Sequence, residues 1–156
     1  MAGFGAVTEQ TDKDIVKGAA LSGAINATIN GGIQWYLLGD HAPLPMTVDG
    51  ITNDEHTVFG AAVPLAVTLA MILTAIAYKT DKRTKPPFFP TALWLTVKHG
   101  FFTLGILVTF AVFWQRLFGS IFVSLPVAVL ILAVLAGVVA FMVNYMTARA
   151  AFDLTP

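Results

Sequence analysis

Hydrophobic positions in this chain gather into four long stretches with few charges, and short polar segments separate them. A helix needs about 20 residues to cross a hydrocarbon layer of ~30 Å, and each stretch reaches that length. The pattern therefore predicts an all-α, polytopic membrane protein: a four-helix bundle in a single domain, with no separate soluble domain. The predicted spans are residues 15–38, 54–78, 91–114 and 120–147.

The first predicted span is not apolar on all sides. Positions four apart share one face of a helix, so the span can be read as four rows. The polar row is Ser22, Asn26, Asn30 and Gln34; the first small row is Ala19, Gly23, Ala27 and Gly31; the second small row is Ala20, Ala24, Thr28 and Gly32; and the apolar row is Leu21, Ile25, Ile29 and Ile33. Only the apolar row suits lipid, so we expect this span to lie at the centre of the bundle.

The polar row allows two interpretations. Amide side chains that faced lipid would leave hydrogen-bonding groups unsatisfied, so they must face other helices or water. Hydrogen bonds between helices explain the row as structural. A polar path, in which amides replace water around a small solute or ion, explains it as functional, because the row extends over about 18 Å. Thr103 and Thr109 in the third span are candidate partners across the bundle.

The first small row predicts close helix packing, because small residues let two backbones approach each other. The partner is either another span of this chain or the same span of a second copy.

Lys98 and His99 form a candidate titrating pair inside the third span. Ionisable groups within membranes are often functional. The alternative, which we favour for Lys98, is that its side chain extends along the helix to the headgroups.

Composition excludes several classes of function. Hydrophobic residues make up 56% of the chain, charged residues 12%, and the net charge is zero, which argues against nucleic-acid binding. The chain has no cysteine, so disulfides and thiolate metal sites are excluded. No catalytic motif is present, which predicts a protein that is not an enzyme and needs no cofactor.

One polar segment is rich in carboxylates and histidines: Asp40, His41, Asp49, Asp54, Glu55 and His56. These side chains could bind a divalent metal, but they lack the close spacing of metal ligands. We therefore predict a solvated acidic mouth and no metal site. The run from Thr52 to Glu55 also resembles a capping box, which would start the second helix.

Basic residues orient the spans. Of the nine Lys and Arg residues, all but Arg116 fall at the chain ends, in residues 79–85 or at Lys98. The positive-inside rule then places both termini in the cytoplasm. Size and span count are similar to those of small bacterial transporters and channels that work as dimers, although the membrane-embedded glutamate of small multidrug transporters is missing. We expect a bacterial inner membrane, with the lipid bilayer and a second copy or other membrane subunits as partners.

A weak internal repeat relates the first and third spans at an offset of 81 residues. Val16-Lys17 aligns with Val97-Lys98, and Ile25 aligns with Ile106. Chance similarity between two apolar helices is the favoured explanation, because the second and fourth spans do not align; a parallel duplication is the alternative.

Two functional hypotheses follow. The leading one is a homo-oligomeric channel or transporter whose polar row lines a path for a small solute or ion. The other is an accessory or assembly subunit of a larger membrane complex, whose first helix packs against partner helices.

Overall fold

The computed structural model describes residues 2–51, 56–80 and 87–153. In these ranges the chain forms four long helices and two short strands. The helices are α1 (Ala2–Leu38), α2 (Val58–Thr80), α3 (Leu93–Phe118) and α4 (Leu125–Asp153), and the strands are β1 (Leu44–Met46) and β2 (Ile121–Val123). The prediction of an all-α fold with four long helices is confirmed.

Three of the described helical segments are long and apolar enough to cross a membrane. They are Val58–Thr80, Phe88–Phe118 and Leu125–Ala150. These segments agree with the second, third and fourth predicted spans. Helix α1 is the longest helix but is not among them, because its polar row and its small rows lower its hydropathy. Its crossing of the membrane stays a prediction.

The helices lie side by side in the order α1, α4, α2, α3. Helix α1 packs along α4, α4 packs along α2, and α2 packs along α3, while α3 touches α4 only marginally. The expectation that the first span lies at the centre of the bundle is therefore wrong. Only part of its circumference contacts protein, and α4 and α2 occupy the interior positions.

Helices α1 and α4 run antiparallel over most of their length. Arg149 near the end of α4 forms a 2.6 Å ion pair with Asp12 near the start of α1. Farther along, Gly31 of α1 lies against Ala133 of α4. Residues early in α1 thus lie beside residues late in α4, and the two helices extend alongside each other between these two contacts.

The two strands pair at the end of the molecule opposite the chain termini, which we call the loop end. Strands β1 and β2 are antiparallel, with Leu44 opposite Val123 and Met46 opposite Ile121. Leu44 and Met46 are buried together with Leu38 from the end of α1. The fourth predicted span began at residue 120, but α4 begins only at Leu125 because β2 precedes it.

Helix α2 begins later than the sequence predicted. Thr57 is buried, and its Oγ1 accepts a 2.9 Å hydrogen bond from the N–H of Gly60. This is the geometry of an N-cap, which satisfies a free donor at the helix start. The predicted capping box at residues 52–55 lies outside the described residues.

The helix contacts have an internal two-fold symmetry. If α1 is exchanged with α3 and α2 is exchanged with α4, the α1–α4 contact becomes the α3–α2 contact. The α2–α4 contact then maps onto itself. At the 81-residue offset, Ile25 and Ile106 are both exposed, and Ala19 and Gly100 are both buried. The α1–α4 contact is much more extensive than the α2–α3 contact, so the symmetry is one of helix order alone.

Candidate functional site

The polar row of α1 faces α4. Asn30 and Gln34 are buried, with 8% and 6% of their surfaces exposed. Ser22 and Asn26 are half-buried. The row therefore lies in the interface between two helices of the same chain.

The amide groups of this row bond largely to their own helix. Asn26 Nδ2 donates to the backbone oxygen of Ser22 at 2.9 Å, and Asn30 Nδ2 donates to that of Asn26 at 2.9 Å. Each bond reaches back one helical turn. An amide donor that is satisfied in this way avoids the cost of an unpaired polar group in hydrocarbon.

Asn144 of α4 links the polar row to the neighbouring helix, and the sequence interpretation missed it. Its Nδ2 donates a 2.7 Å hydrogen bond to Ser22 Oγ and a 2.9 Å bond to the backbone oxygen of Ala140. Both amide hydrogens are thus used. A signal was present, because Asn144 is the one Asn or Gln between residues 120 and 147.

The first small row also faces α4, and it lets the two backbones come close. A Cβ placed on Gly23 would lie 2.9 Å from the backbone oxygen of Gly137. A Cβ on Gly137 would lie 3.1 Å from the Cβ of Ala27, and Ala19 is buried. The close packing predicted for Ala19, Gly23, Ala27 and Gly31 is therefore made with α4 of the same chain.

The other two rows of α1 are exposed. Leu21, Ile25, Ile29 and Ile33 all keep about half or more of their surfaces open. Ala20, Ala24, Thr28 and Gly32 are exposed as well, and a Cβ on Gly32 would meet nothing within 4 Å. The apolar row suits lipid, whereas the second small row is a flat, open strip beside it.

The structure does not bring Thr103 and Thr109 opposite the polar row. Both belong to α3, which packs against α2, whereas α1 packs against α4. Thr103 is buried and Thr109 is exposed. Two helices therefore stand between these threonines and the face of α1 that carries the row.

His99 forms a second polar contact inside the helical layer. It is 6% exposed, and its Nδ1 lies 2.9 Å from Oγ1 of the fully buried Thr74 on α2. The Thr74 hydroxyl donates to the backbone oxygen of Ala70 at 2.6 Å, so its oxygen is free to accept from Nδ1–H. Lys98 is exposed, on another side of α3. The two residues of the predicted titrating pair thus have different surroundings.

The loop end holds a network around Gln115 at the end of α3. Its Oε1 accepts a 2.5 Å hydrogen bond from the N–H of Val48, and Thr47 Oγ1 lies 3.1 Å from the same oxygen. Thr47 Oγ1 also lies 2.9 Å from Asp49 Oδ2. This arrangement fixes the segment after β1 to α3.

Two histidines of the predicted acidic mouth meet at the same end. The ring centroids of His41 and His56 are 3.7 Å apart, with the ring planes inclined by 45°. Both residues are exposed. Among the described residues, no three His, Asp or Glu side chains are grouped so as to hold a metal ion.

Helix α4 presents an exposed apolar ridge with a groove on each side. The ridge is formed by residues four apart: Leu130, Val134, Val138 and Met142. One groove, of about 430 Å³, is lined entirely by apolar side chains of α2, α3 and α4, including Ala62, Leu107 and Phe110. The other groove lies between α4 and the small residues of α1. Neither groove offers polar groups for a solute.

No protein-family model, curated protein or solved structure matches this chain significantly.

Proposed function

We propose that this protein is a non-enzymatic integral membrane subunit that assembles with another membrane helix, as an accessory or assembly subunit of a larger complex. The observation that carries the proposal is the exposed apolar ridge on α4 with an apolar groove on each side. The polar row needs no outside partner, because Asn144 Nδ2 donates to Ser22 Oγ and the Asn26 and Asn30 donors bond to backbone oxygens. The polar row is thus used within the chain to hold α1 on α4. A transported solute or ion is not needed to explain it.

The proposed placement has all four helices crossing a bacterial inner membrane, with both termini in the cytoplasm. Helix α1 crosses because it lies antiparallel along α4, which is itself long and apolar enough to span. Lys13, Lys17, Lys79 and Arg149 lie at the end of the molecule that carries the termini, and Arg116 lies at the loop end. The positive-inside rule supports this orientation.

The ridge on α4 is the surface that we assign to the partner helix. Helices pack by fitting the ridge of one into the groove of the other, and rows four residues apart form such ridges. The α4 ridge lies between two apolar grooves. A helix of a partner could therefore place its own ridge in a groove of this face and accept the α4 ridge in its own groove. In a membrane, this packing provides association energy that the hydrophobic effect does not provide.

Crosslinking from the ridge tests the proposal. The chain has no native cysteine, so Val138→Cys places a single thiol on the ridge for a photoactivatable maleimide reagent. Val112→Cys is the control, because Val112 is also exposed but lies on α3 away from the grooves. We expect an adduct with a different membrane polypeptide from position 138 that is absent from position 112. Equal labelling of lipid alone from both positions contradicts the proposal.

A second candidate function is the homo-oligomeric polar path. It is favoured by the half-buried state of Ser22 and Asn26, since part of each side chain is left uncovered by α4. A second copy that packed on the exposed apolar row next to it, at Leu21 and Ile25, would place two polar rows near one another. In proteoliposomes, this candidate predicts ion or solute flux that Asn26→Leu abolishes without unfolding the protein. Unchanged flux in the folded variant excludes it.

A further inference from the structure

The two histidines at the loop end come from different connections. His41 follows α1, and His56 precedes α2, yet their ring centroids are only 3.7 Å apart. Neither ring is covered by the rest of the described chain. Two imidazoles that meet on an open surface, 15 positions apart in sequence, form a pair of nitrogen ligands that no single local motif supplies.

Both histidines stand on backbone that buried neighbours hold in place. His56 immediately precedes Thr57, whose Oγ1 accepts the N–H of Gly60 and whose side chain is almost fully buried. His41 ends the short helical turn Gly39–His41, which directly follows the buried Leu38. The backbone at both positions is therefore held in place, and side-chain rotation sets the separation of the two rings.

We propose that His41 and His56 bind a divalent transition-metal ion, with Zn²⁺ as the representative, at the loop end. Imidazole nitrogens bind Zn²⁺ at about 2.0–2.1 Å, so two nitrogens on one tetrahedral ion lie about 3.3 Å apart. On such an ion the two ring centroids lie about 5 Å apart, so the rings, whose centroids are 3.7 Å apart, must rotate away from each other by about 1.5 Å to admit the ion. Imidazole suits Zn²⁺, Cu²⁺ and Ni²⁺ and does not suit Mg²⁺ or Ca²⁺, which prefer oxygen ligands.

The remaining coordination positions stay open. The described residues provide no group of three His or carboxylate ligands, so water completes the shell, with Asp40 adjacent to His41 in the same exposed turn. The site is thus an exchangeable surface site and not a closed structural one. A bound ion would join the end of α1 to the beginning of α2, and this inference does not depend on the proposed function.

Calorimetric titration of the purified full-length protein with ZnCl₂ tests the site, in detergent and without a polyhistidine tag. We expect one Zn²⁺ per chain, together with a rise in the unfolding temperature that MgCl₂ does not produce. His41→Phe and His56→Phe are the sharpest variants, because each keeps an aromatic ring at the contact and removes the ligand nitrogens. Each should weaken Zn²⁺ binding at least roughly tenfold.

The third histidine gives the matched control. His99→Gln removes a histidine from the buried contact with Thr74 and leaves the loop end unchanged. This variant should bind Zn²⁺ as the unmodified protein does, and gel filtration checks that all variants remain folded. Absence of Zn²⁺ binding by the unmodified protein overturns the proposal, and so does unchanged binding by His41→Phe.

Discussion

Asn144 on α4 donates a 2.7 Å hydrogen bond to Ser22 Oγ on α1, and this side-chain bond joins the two helices. Ser22 opens the polar row, and Asn144 lies in the last third of α4. The bond shows that the polar row of α1 has its counterpart in the same chain.

The first prediction concerns the strength of this bond. Ser22→Ala and Asn144→Ala should each lower the free energy of unfolding, and a double-mutant cycle should give a coupling of about 0.6 kcal/mol and at most about 2 kcal/mol, the range found for hydrogen bonds between membrane helices. Unfolding in mixed micelles measures it. Thr28→Ala is the control, because the Thr28 hydroxyl bonds only to Ala24 O on its own helix at an exposed position. A coupling of zero would mean that the bond adds no stability.

The second prediction tests the close approach of α1 and α4. Gly23→Ala should destabilise the protein by about 1–3 kcal/mol, as overpacking does, because the new Cβ would lie 2.9 Å from the backbone oxygen of Gly137. Gly32→Ala is the matched control on the same helix, where a Cβ meets nothing within 4 Å. Its stability should be unchanged or slightly higher, since alanine favours a helix over glycine. Equal effects of the two substitutions on the unfolding temperature would contradict the packing.

The contacts of α1 with α4 show which features of the packing the sequence predicts and which it does not. The pattern of rows predicted that Gly23 and Ala27 pack closely against a helix, and they do. It could not identify α4 as the partner, because small residues also occur in the other spans, and the choice depends on how whole helix surfaces fit. The apolar row is exposed, as its pattern indicated, because the residues of one helix alone decide which of its faces suits lipid. The partner of the small row depends on the surfaces of two helices, which the pattern of one helix does not contain.

Local capping and strand pairing were also beyond the pattern. Thr57 caps α2, because its Oγ1 accepts the N–H of Gly60, and the sequence pattern did not single it out. Strand β1 contains Pro45, which has no N–H to donate to a strand pair, yet it pairs with β2 from a distant connection. A two-stranded contact of three residues has little stability of its own; this one lies where α1 and α3 both end, and its Leu44 and Met46 are buried with Leu38.

The third prediction concerns the buried contact between His99 and Thr74. Thr74→Val keeps the shape of the side chain but leaves His99 Nδ1 without its 2.9 Å partner, so the protein should lose about 1–3 kcal/mol of stability. Thr74→Ser retains the hydroxyl and should cost clearly less. Thermal unfolding of the two variants in the same detergent gives the comparison. If valine and serine were equally tolerated, the hydrogen bond would not stabilise the α2–α3 interface.

The fourth prediction concerns the loop end. Gln115→Leu removes the acceptor of the Val48 N–H and of the neighbouring Thr47 hydroxyl, which should free the segment after β1 from α3. Amide hydrogen exchange in residues 44–51 should then accelerate, while exchange within α2 stays slow. Arg116→Ala is the control, because Arg116 is the adjacent residue and is exposed. Unchanged exchange in Gln115→Leu would show that strand pairing alone holds this segment.

The fifth prediction concerns whether the polar row contacts water, and it separates the two candidate functions. Because the chain has no cysteine, single replacements at Asn30 and Gln34 report only on these positions. Both side chains are buried against α4, so a water-soluble thiol reagent should leave Asn30→Cys and Gln34→Cys unlabelled in intact membranes. Ile29→Cys, on the exposed apolar row, should also stay unlabelled, because lipid excludes the reagent from it. Labelling at 30 and 34 with none at 29 would demonstrate a hydrated path along α1 and would favour transport, whereas protection at all three positions leaves the polar row as the dry contact that fixes α1 on α4.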